Sequence, residues 1–229
     1  MKQLEKIRVV IFDADDTLWD CQSYFRDVEH SYCALLSDYA DADTVSRELF
    51  ATESANMPLL GFGSKAFTLS LVETAVRLSG GRVASSVIAD IVELGKSLML
   101  TPCEPLPGVV NTLDALAAYR LVLFTKGELL DQHRKLQRSG LARYFEHVEV
   151  VNDKNEDTCL ALIKRLGVHP SDCLMVGNSF RSDIAPALAV GASAVYIPFH
   201  VTWQHEQTAE FAHERLVHVS CIGELCDLL

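Results

Sequence analysis

Basic residues, long apolar runs and paired cysteines are scarce in this sequence, and each scarcity argues against a class of protein. The 229 residues contain 20 Lys and Arg against 31 Asp and Glu, which gives a formal net charge of −11. Proteins that bind nucleic acid contact its phosphates with fields of Lys and Arg, so we expect no nucleic-acid partner. Apolar runs such as residues 121–124 are far too short to cross a bilayer, so we expect no membrane partner.

The seven cysteines are odd in number and scattered, and no two of them form a CxxC pair. This spacing indicates neither a disulfide framework nor a zinc site, and we expect reduced thiols. Residues 1–6 lack the apolar region of a signal peptide, and the apolar content of 49% is ample for a buried core. We therefore expect a soluble, cytoplasmic protein that is a monomer or a homodimer.

An acidic cluster directly follows the first apolar, β-branched run. Residues 7–12 read Ile-Arg-Val-Val-Ile-Phe, and the cluster after them contains Asp13, Asp15, Asp16 and Thr17. A short run rich in Val and Ile is typical of a buried parallel strand, and open α/β sheets bind ligands at the carboxyl ends of such strands. The sequence therefore places Asp13 and Asp15 at a predicted site.

Carboxylates this close together repel each other, so each needs a cation or a proton beside it, and Mg²⁺ with its preference for oxygen ligands suits them. One carboxylate can attack a phosphorus atom and form an aspartyl-phosphate, while the other protonates the leaving group and later activates water. The alternative is that Asp15, Asp16 and Thr17 only cap a helix. We favour catalysis because a cap needs one such side chain, whereas three carboxylates stand within residues 13–16.

The rest of the chain divides into a helical stretch and an alternating stretch, separated by residues 101–108 with three prolines and a glycine. Before this segment, apolar residues at three-to-four spacing predict four helices, over residues 24–39, 44–53, 67–78 and 87–98. After it, helix-like and strand-like segments alternate. The predicted strands cover residues 121–124, 147–151, 173–176 and 194–197, and the predicted helices cover 109–119, 129–138, 157–166 and 184–190.

This alternation predicts an α/β fold with a doubly wound parallel sheet and right-handed crossovers. We expect residues 1–17 and 108–229 to form the α/β core. Residues 18–107 then form a helical domain, inserted after the first strand and joined to the core by a hinge.

Polar residues follow two later strands at the edge where Asp13 is expected. Thr125, Lys126 and Gly127 can hold phosphate oxygens through a hydroxyl and the backbone N–H groups that open a helix, although Thr125 can also be a simple helix cap. Lys154 can neutralise a nucleophile and a transferring phosphoryl group. Its position alone, however, favours a solvated surface lysine.

The fourth strand is followed by Asn178 and Asp183, whose amide and carboxylate oxygens are acceptable ligands for a hard cation. The alternative is an ordinary loop in which Ser182 or Asp183 caps the next helix. That alternative loses weight because four strand ends carry compatible groups.

With these motifs in this order, the chain resembles the haloacid dehalogenase superfamily of phosphatases over residues 7 to about 200. The resemblance implies that Asp13 is the nucleophile and Asp15 the general acid/base, with Thr125 as the hydroxyl of the second motif and Lys154 as the lysine of the third. It implies a helical cap of the first type, which closes over the site. The magnesium ligands that it implies are Asp13, the backbone carbonyl of Asp15, and one or both of Asn178 and Asp183.

Two positions depart from the family pattern. Asp16 stands where the family often has Gly, and we expect this added carboxylate to face away from the phosphate. Asn178 stands where the fourth motif usually has Asp. The missing negative charge predicts a lower affinity for magnesium.

We therefore expect a magnesium-dependent hydrolase that acts on a small phosphorylated metabolite. A dehalogenase of the same superfamily needs neither a leaving-group acid nor a metal, so Asp15, Asn178 and Asp183 count against it. A phosphomutase keeps every motif and stays open. The alternative from another class is a regulatory domain that binds magnesium and phosphate with weak turnover, at which Asn178 hints.

Substrate choice is expected to lie in the cap. Its polar break with two glycines, residues 61–65, ends in Lys65, which can bring a cation to the substrate. More often such a segment is only a turn between helices.

Overall fold

The computed structural model describes residues 6–229 and divides them into two compact units. One unit runs to Gln22 and resumes over Cys103–Leu229, and the other is Ser23–Pro102. The predicted boundaries at 17/18 and 107/108 differ from these because Leu18, Trp19 and Cys103 are buried in the core of the first unit. Residues 1–5, to which the expectation about a signal peptide partly refers, lie outside the described residues.

The two ends of the inserted segment are paired with each other inside the first unit. The backbone N–H of Leu106 donates to the carbonyl of Leu18 at 2.8 Å. Trp19 and Pro105 form an isolated antiparallel bridge beside that hydrogen bond. The chain therefore leaves and re-enters the α/β unit at one place.

The α/β unit contains a six-stranded, fully parallel sheet, which confirms the predicted fold class. Its strands are β1 (Val9–Phe12), β2 (Arg120–Lys126), β3 (His147–Val151), β4 (Cys173–Gly177), β5 (Ser193–Tyr196) and β6 (Leu216–His218). The strand order is β3-β2-β1-β4-β5-β6, so β1 is flanked by β2 and β4. The carboxyl ends of these strands meet at one edge, where all the predicted site residues except Lys65 lie.

Strand β1 lies in the interior of this sheet, and both of its faces are apolar. Val10 and Phe12 belong to one buried cluster, and Val9 and Ile11 belong to the cluster on the opposite face. All four side chains are essentially inaccessible to solvent. A parallel strand covered on both faces needs this continuous apolar run rather than an alternating pattern.

Helices of the first unit follow the predicted alternation with shifted ends. They are α5 (Val109–Ala115), α6 (Leu129–Ser139), α7 (Glu156–Leu166), α8 (Ala185–Ala189) and α9 (Leu225–Leu228), where the labels α1–α4 belong to the second unit. A π-helical turn, Phe180–Ile184, precedes α8. Strand β6 and helix α9 have no counterpart in the sequence prediction.

Four helices make up the second unit, as the spacing of apolar residues predicts. They are α1 (Gln22–Leu35), whose first residue belongs to the α/β unit, α2 (Ala42–Leu60), α3 (Ser64–Leu78) and α4 (Ser85–Leu98). Helix α2 begins earlier than predicted because Asp41 caps it, accepting a hydrogen bond from the N–H of Thr44 at 2.9 Å. Among the described residues, no helix has both the length and the apolarity needed to cross a membrane.

The segment after β5 is held against the strand ends by one carboxylate. Glu206 pairs with Lys126 at the end of β2 and accepts hydrogen bonds from Ser179 and, at 2.7 Å, from Ser182 in the turn after β4. The ring of Trp203 lies 5.6 Å from the ammonium of Lys126. Glu206 thus connects three segments at the carboxyl edge of the sheet.

This connection predicts that stability depends on pH through Glu206. Burial raises the pKa of Glu206, but Lys126 and the hydroxyls of Ser179 and Ser182 outweigh burial and lower it from 4.5 to about 2. The ionised carboxylate therefore stabilises the fold above pH 4.5, and this contribution disappears as the pH falls toward 2. We expect Glu206→Gln to lower the free energy of unfolding by about 2 kcal/mol at neutral pH.

Urea unfolding at several pH values measures this effect, with the exposed Glu214→Gln as the matched control. The gap between wild type and Glu206→Gln should close below pH 4.5, the ordinary pKa of a glutamate here. A gap that is the same at every pH would contradict the assignment.

Candidate active site

Asp13 stands directly after β1 with its side chain buried at the carboxyl edge of the sheet. Its backbone N–H donates to the carbonyl of Val176 in β4 at 2.9 Å, which fixes the residue against the neighbouring strand. One carboxylate oxygen pairs with the ammonium of Lys154, and the other accepts a hydrogen bond from the hydroxyl of Thr17 at 3.0 Å. The Asp13 side chain is therefore held in one orientation.

Lys154 is buried between two carboxylates, so the interpretation as a solvated surface lysine is wrong. It follows β3 and precedes Asn155, which caps α7 through a reciprocal pair of hydrogen bonds with Thr158. From this fixed position its ammonium contacts Asp13 and donates to Asp183 at 2.7 Å. Only 4% of Lys154 is exposed, because the two acids satisfy its charge.

The charges of Asp13, Asp183 and Lys154 do not sum to zero when all three are ionised. Burial and the neighbouring charge of Asp183 raise the pKa of Asp13 to about 7, although the ammonium of Lys154 acts in the opposite direction. Burial lowers the pKa of Lys154, but the two carboxylates outweigh burial and raise it above its usual range. One ammonium thus faces two carboxylates, and an additional positive charge would stabilise the ionised form of Asp13.

Asp15 follows Asp13 by two residues, and hydrogen-bond donors surround its carboxylate. Its carboxylate accepts hydrogen bonds from the indole of Trp19 at 2.7 Å, from Gln132 at 3.0 Å and from Lys135 at 2.9 Å. Burial raises the pKa of Asp15, but Lys135 and the other donors outweigh burial and leave that pKa below its ordinary value. The ammonium of Lys135 also donates to the thiol of Cys21 at 3.4 Å.

The sequence analysis did not single out Gln132 and Lys135, which both lie on α6. No clear signal in the sequence marks them, because two of the three leucines of α6, Leu129 and Leu130, are exposed, so the apolar pattern does not mark the face that packs against the sheet. Gln132 and Lys135 are each 4% exposed. Their spacing of three residues places them on the same face of the helix.

The helix-capping interpretation of the acidic cluster holds for Asp16 alone. This residue has a φ of 65°, a left-handed conformation that explains why glycine suits the position. Its carboxylate accepts hydrogen bonds from the N–H groups of Cys21 at 2.8 Å and Gln22 at 2.9 Å, where α1 begins. Burial raises the pKa of Asp16 to about 7, against the effect of these two hydrogen bonds.

The end of β2 contains Thr125 and Lys126, and Gly127 follows it; these three neighbours make different contacts. Thr125 is buried within β2 and accepts a hydrogen bond from Gln132 at 2.6 Å, so it is not a helix cap. The ammonium of Lys126 is paired with Glu206, and the N–H of Gly127 donates to the carbonyl of Val151 at 3.0 Å. A direct contact of Lys126 or Gly127 with substrate stays a prediction.

Two of the N–H groups that open α6 already donate to a carboxylate, and their expected contact with phosphate stays a prediction. The carboxylate of Glu128 accepts hydrogen bonds from the N–H groups of Leu130 at 3.4 Å and Asp131 at 3.1 Å. A carboxylate at this position satisfies the free donors of the helix terminus. Phosphate would therefore have to displace Glu128 to reach them.

Asp183 lies in the π-helical turn after β4, with both carboxylate oxygens engaged. One accepts a hydrogen bond from Lys154, and the other accepts one from the backbone N–H of Ser179 at 3.0 Å. Ser179, rather than Ser182 or Asp183, caps this turn by accepting a hydrogen bond from the N–H of Ser182 at 2.9 Å. Gly177 makes room for Asp183, because a Cβ atom at that position would overlap the carboxylate.

The residues expected to bind magnesium fit a hard cation by the chemistry of their donors. The hydroxyl of Thr17 lies 3.0 Å from Asp13 Oδ2 and 3.3 Å from Asn178 Oδ1, so both oxygens are neighbours of one hydroxyl. Both are oxygen ligands of the kind that Mg²⁺ prefers. Within residues 6–229, no three His, Cys, Asp or Glu side chains form a metal cluster by themselves, so amide or backbone oxygens would complete the shell.

Lys65 belongs to the other unit, where it is an exposed residue in the first turn of α3. Its proposed contact with substrate stays a prediction.

Two phosphatases resemble this chain over most of their length. A glyceraldehyde 3-phosphate phosphatase from Methanothermobacter thermautotrophicus is 26% identical, and the match covers 97% of this chain and 98% of that protein. The human N-acylneuraminate-9-phosphatase is 27% identical, with 83% of this chain and 82% of that protein covered.

A solved structure and a family model give the same assignment. The crystal structure of a haloacid dehalogenase-like family hydrolase from Xanthomonas campestris superimposes with a TM-score of 0.89 at 35% identity and covers 97% of this chain and 90% of that one. The model of the haloacid dehalogenase-like hydrolase family matches residues 7–191. These matches confirm the resemblance seen in the motifs, and the chain belongs to the haloacid dehalogenase-like hydrolases.

Proposed function

We propose that this hydrolase cleaves phosphate monoesters of small metabolites through an aspartyl-phosphate on Asp13, with magnesium as cofactor. The observation that carries the proposal is the buried carboxylate of Asp13 at the end of the central strand, paired with Lys154 next to Asp183. The names of the two relatives, both phosphatases of phosphorylated small molecules, support it.

In the first step, a carboxylate oxygen of Asp13 attacks phosphorus and the bond from phosphorus to the leaving oxygen breaks. Lys154 keeps the nucleophile oriented and offsets negative charge at the phosphoryl oxygens. The hydroxyl of Thr125, at the end of β2, serves as a donor to one of these oxygens. Asp15, in its protonated form, gives its proton to the departing alkoxide.

In the second step, Asp15 has become a carboxylate and takes a proton from water, which attacks the phosphorus of phospho-Asp13. The bond between phosphorus and the Asp13 oxygen breaks, so phosphate leaves and the carboxylate is restored. Lys135 and the other donors keep the pKa of Asp15 low, which favours the ionised base of this step and opposes the protonated acid of the first step. The proton that Asp15 takes from water here is the one that it gives to the leaving group in the next cycle.

Magnesium would be held by Asp13, the backbone carbonyl of Asp15 and one further side chain. When bound, the ion would supply the positive charge that the phosphoryl oxygens and the carboxylates require. Asn178 or Asp183, which both follow β4, would supply the further side-chain ligand, since an oxygen that accepts one hydrogen bond keeps a second lone pair. In either case, the role proposed for Asp183 is to hold Lys154.

Phosphate transfer fits these residues better than dehalogenation does. Attack on a carbon–halogen bond needs no proton for its leaving group, so it gives no role to the positioned carboxylate of Asp15. A phosphomutase would use the same residues and would differ in its product. Counting released phosphate against isomerised substrate distinguishes the two.

Magnesium dependence gives the first test of the proposal. Purified protein should release phosphate from 4-nitrophenyl phosphate and from a panel of phosphorylated metabolites, and treatment with a chelator should abolish the release until Mg²⁺ is restored. The expected cause is the excess negative charge around Asp13. Phosphate release that is unaffected by the chelator would contradict the cofactor assignment, and no release under any condition would favour a regulatory domain.

The nucleophile gives the second test. Asp13→Asn should lose hydrolysis and should no longer yield a phosphorylated chain, measured by intact-mass spectrometry after acid quench. Asp15→Asn should still be phosphorylated but should turn over roughly 10²–10⁴-fold more slowly, the usual contribution of a general acid/base. The exposed Asp114→Asn is the control and should behave as wild type. Undiminished hydrolysis by Asp13→Asn would refute the assignment.

The position of Asp183 gives the third test. Gly177→Ala should force the Asp183 carboxylate away from Lys154, because the added Cβ would overlap it. We expect a loss of about 1–3 kcal/mol in stability from this overpacking, and a drop in kcat of at least about tenfold from the misplaced charge. The control is Gly223→Ala, where the nearest atom to an added Cβ is Cys221 Sγ at 3.9 Å. Equal activity of the two variants would remove the proposed role of Asp183.

A further inference from the structure

Three side chains donate hydrogen bonds to the carboxylate of Asp15 and hold it in one position. Trp19 contacts one oxygen, Gln132 contacts the other, and Lys135 lies within 3.1 Å of both. An acid that must deliver a proton to one oxygen of a substrate needs a defined position, not only a suitable pKa. The hydrogen bonds that position Asp15 therefore bear on its ability to transfer a proton.

Gln132 differs from the other two donors because it also contacts a second motif. Its amide nitrogen lies 3.0 Å from Asp15 Oδ2, 2.6 Å from Thr125 Oγ1 and 3.1 Å from the carbonyl oxygen of Lys126. One side chain thus fixes the distance between the carboxylate that follows β1 and the hydroxyl at the end of β2.

This arrangement has an energetic cost that packing alone does not explain. Gln132 is 4% exposed, and its amide oxygen is buried with no hydrogen-bond partner among the described residues. Leaving such a group unsatisfied costs about 1–3 kcal/mol, which an apolar side chain of similar size would avoid. A buried polar group retained at a cost indicates a function.

The chain also makes room for this side chain. Gly127 has a φ of 151°, and a Cβ atom there would lie 3.1 Å from Cγ and 3.2 Å from Cδ of Gln132. Both the conformation and the space require glycine. Gly127 therefore allows Gln132 to reach Thr125.

We infer that Gln132 is a positioning residue for phosphoryl transfer, because its amide fixes the Asp15 carboxylate beside the hydroxyl of Thr125. This inference rests on the proposed function. Gln132 transfers no proton; the proton passes from Asp15 to the leaving oxygen as the bond between Asp13 and phosphorus forms. Lys135, three residues further along α6, supports the same position through its ion pair with Asp15.

The leaving group provides the experiment. A mispositioned acid slows esters with a basic leaving group most, because the acidic 4-nitrophenol departs with little help. In Gln132→Met, kcat/KM for phenyl phosphate should fall about tenfold, and that for 4-nitrophenyl phosphate should fall less than about threefold. The parameter kcat/KM is used because it reports the first phosphoryl transfer and not the hydrolysis of phospho-Asp13.

Gln137→Met is the matched control, since Gln137 is exposed on the same helix and should leave both values unchanged. Gln132→Asn keeps an amide but is one methylene too short to bridge Asp15 and Thr125, so it repeats the test if the Met variant does not fold by circular dichroism. Equal losses on the two esters, or no loss, in the folded variant would overturn the inference.

A spectroscopic measurement adds a readout that does not depend on turnover. The chain has two tryptophans, so Trp203→Phe leaves Trp19 as the sole indole, and Trp19 donates to Asp15. Adding Gln132→Met to this background should change the Trp19 emission. Unchanged emission together with equal losses on both esters would show that Gln132 does not hold Asp15.

The two proposals can fail separately. If wild type hydrolyses neither ester and none of the phosphorylated metabolites, or Asp13→Asn still hydrolyses both esters, the proposed function fails. If Asp15→Asn shows a larger loss on phenyl phosphate than on 4-nitrophenyl phosphate while Gln132→Met and Gln132→Asn do not, only the positioning role fails.

Discussion

The ammonium of Lys154, shared between Asp13 and Asp183, is the contact on which the rest of the site depends. Two buried carboxylates on neighbouring strand ends would repel each other, and removing one partner of such a buried pair costs about 3–5 kcal/mol. The shared ion pair joins the ends of β1, β3 and β4. The parallel sheet brings these three strand ends to one edge, so the fold itself places Asp13, Lys154 and Asp183 together.

The carboxyl ends of parallel strands meet at one edge, and this rule made much of the site predictable from the sequence. It placed Asp13 and Lys154 together, although position alone could not show that the lysine is buried. It could not reveal Gln132 or Lys135, because their direction depends on the rotation of α6 against the sheet. Strand β6 was not predicted because its three residues are half-buried or exposed and show no clear hydrophobic pattern.

A chain with a net charge of −11 can still accommodate an anionic group, because acids near the site each have their own hydrogen-bond donors or a paired cation. Asp16 accepts from backbone N–H groups, Glu128 caps α6, and Glu206 is paired with Lys126. Asp13 differs from them in its neighbours: burial and the charge of Asp183 raise its pKa, and the single ammonium of Lys154 is shared between the two carboxylates. The local surroundings of Asp13, rather than the global charge, are what a bound cation would offset.

The hydrogen bond between Leu18 and Leu106 and the bridge between Trp19 and Pro105 join the two ends of the inserted helical unit within the α/β unit. A segment whose ends are closed in this way behaves as a module. Its length and sequence can diverge, or be exchanged for another domain by recombination, without moving the register of β1 against β2. The insertion can therefore change while the residues that follow β1 keep their places in the sheet.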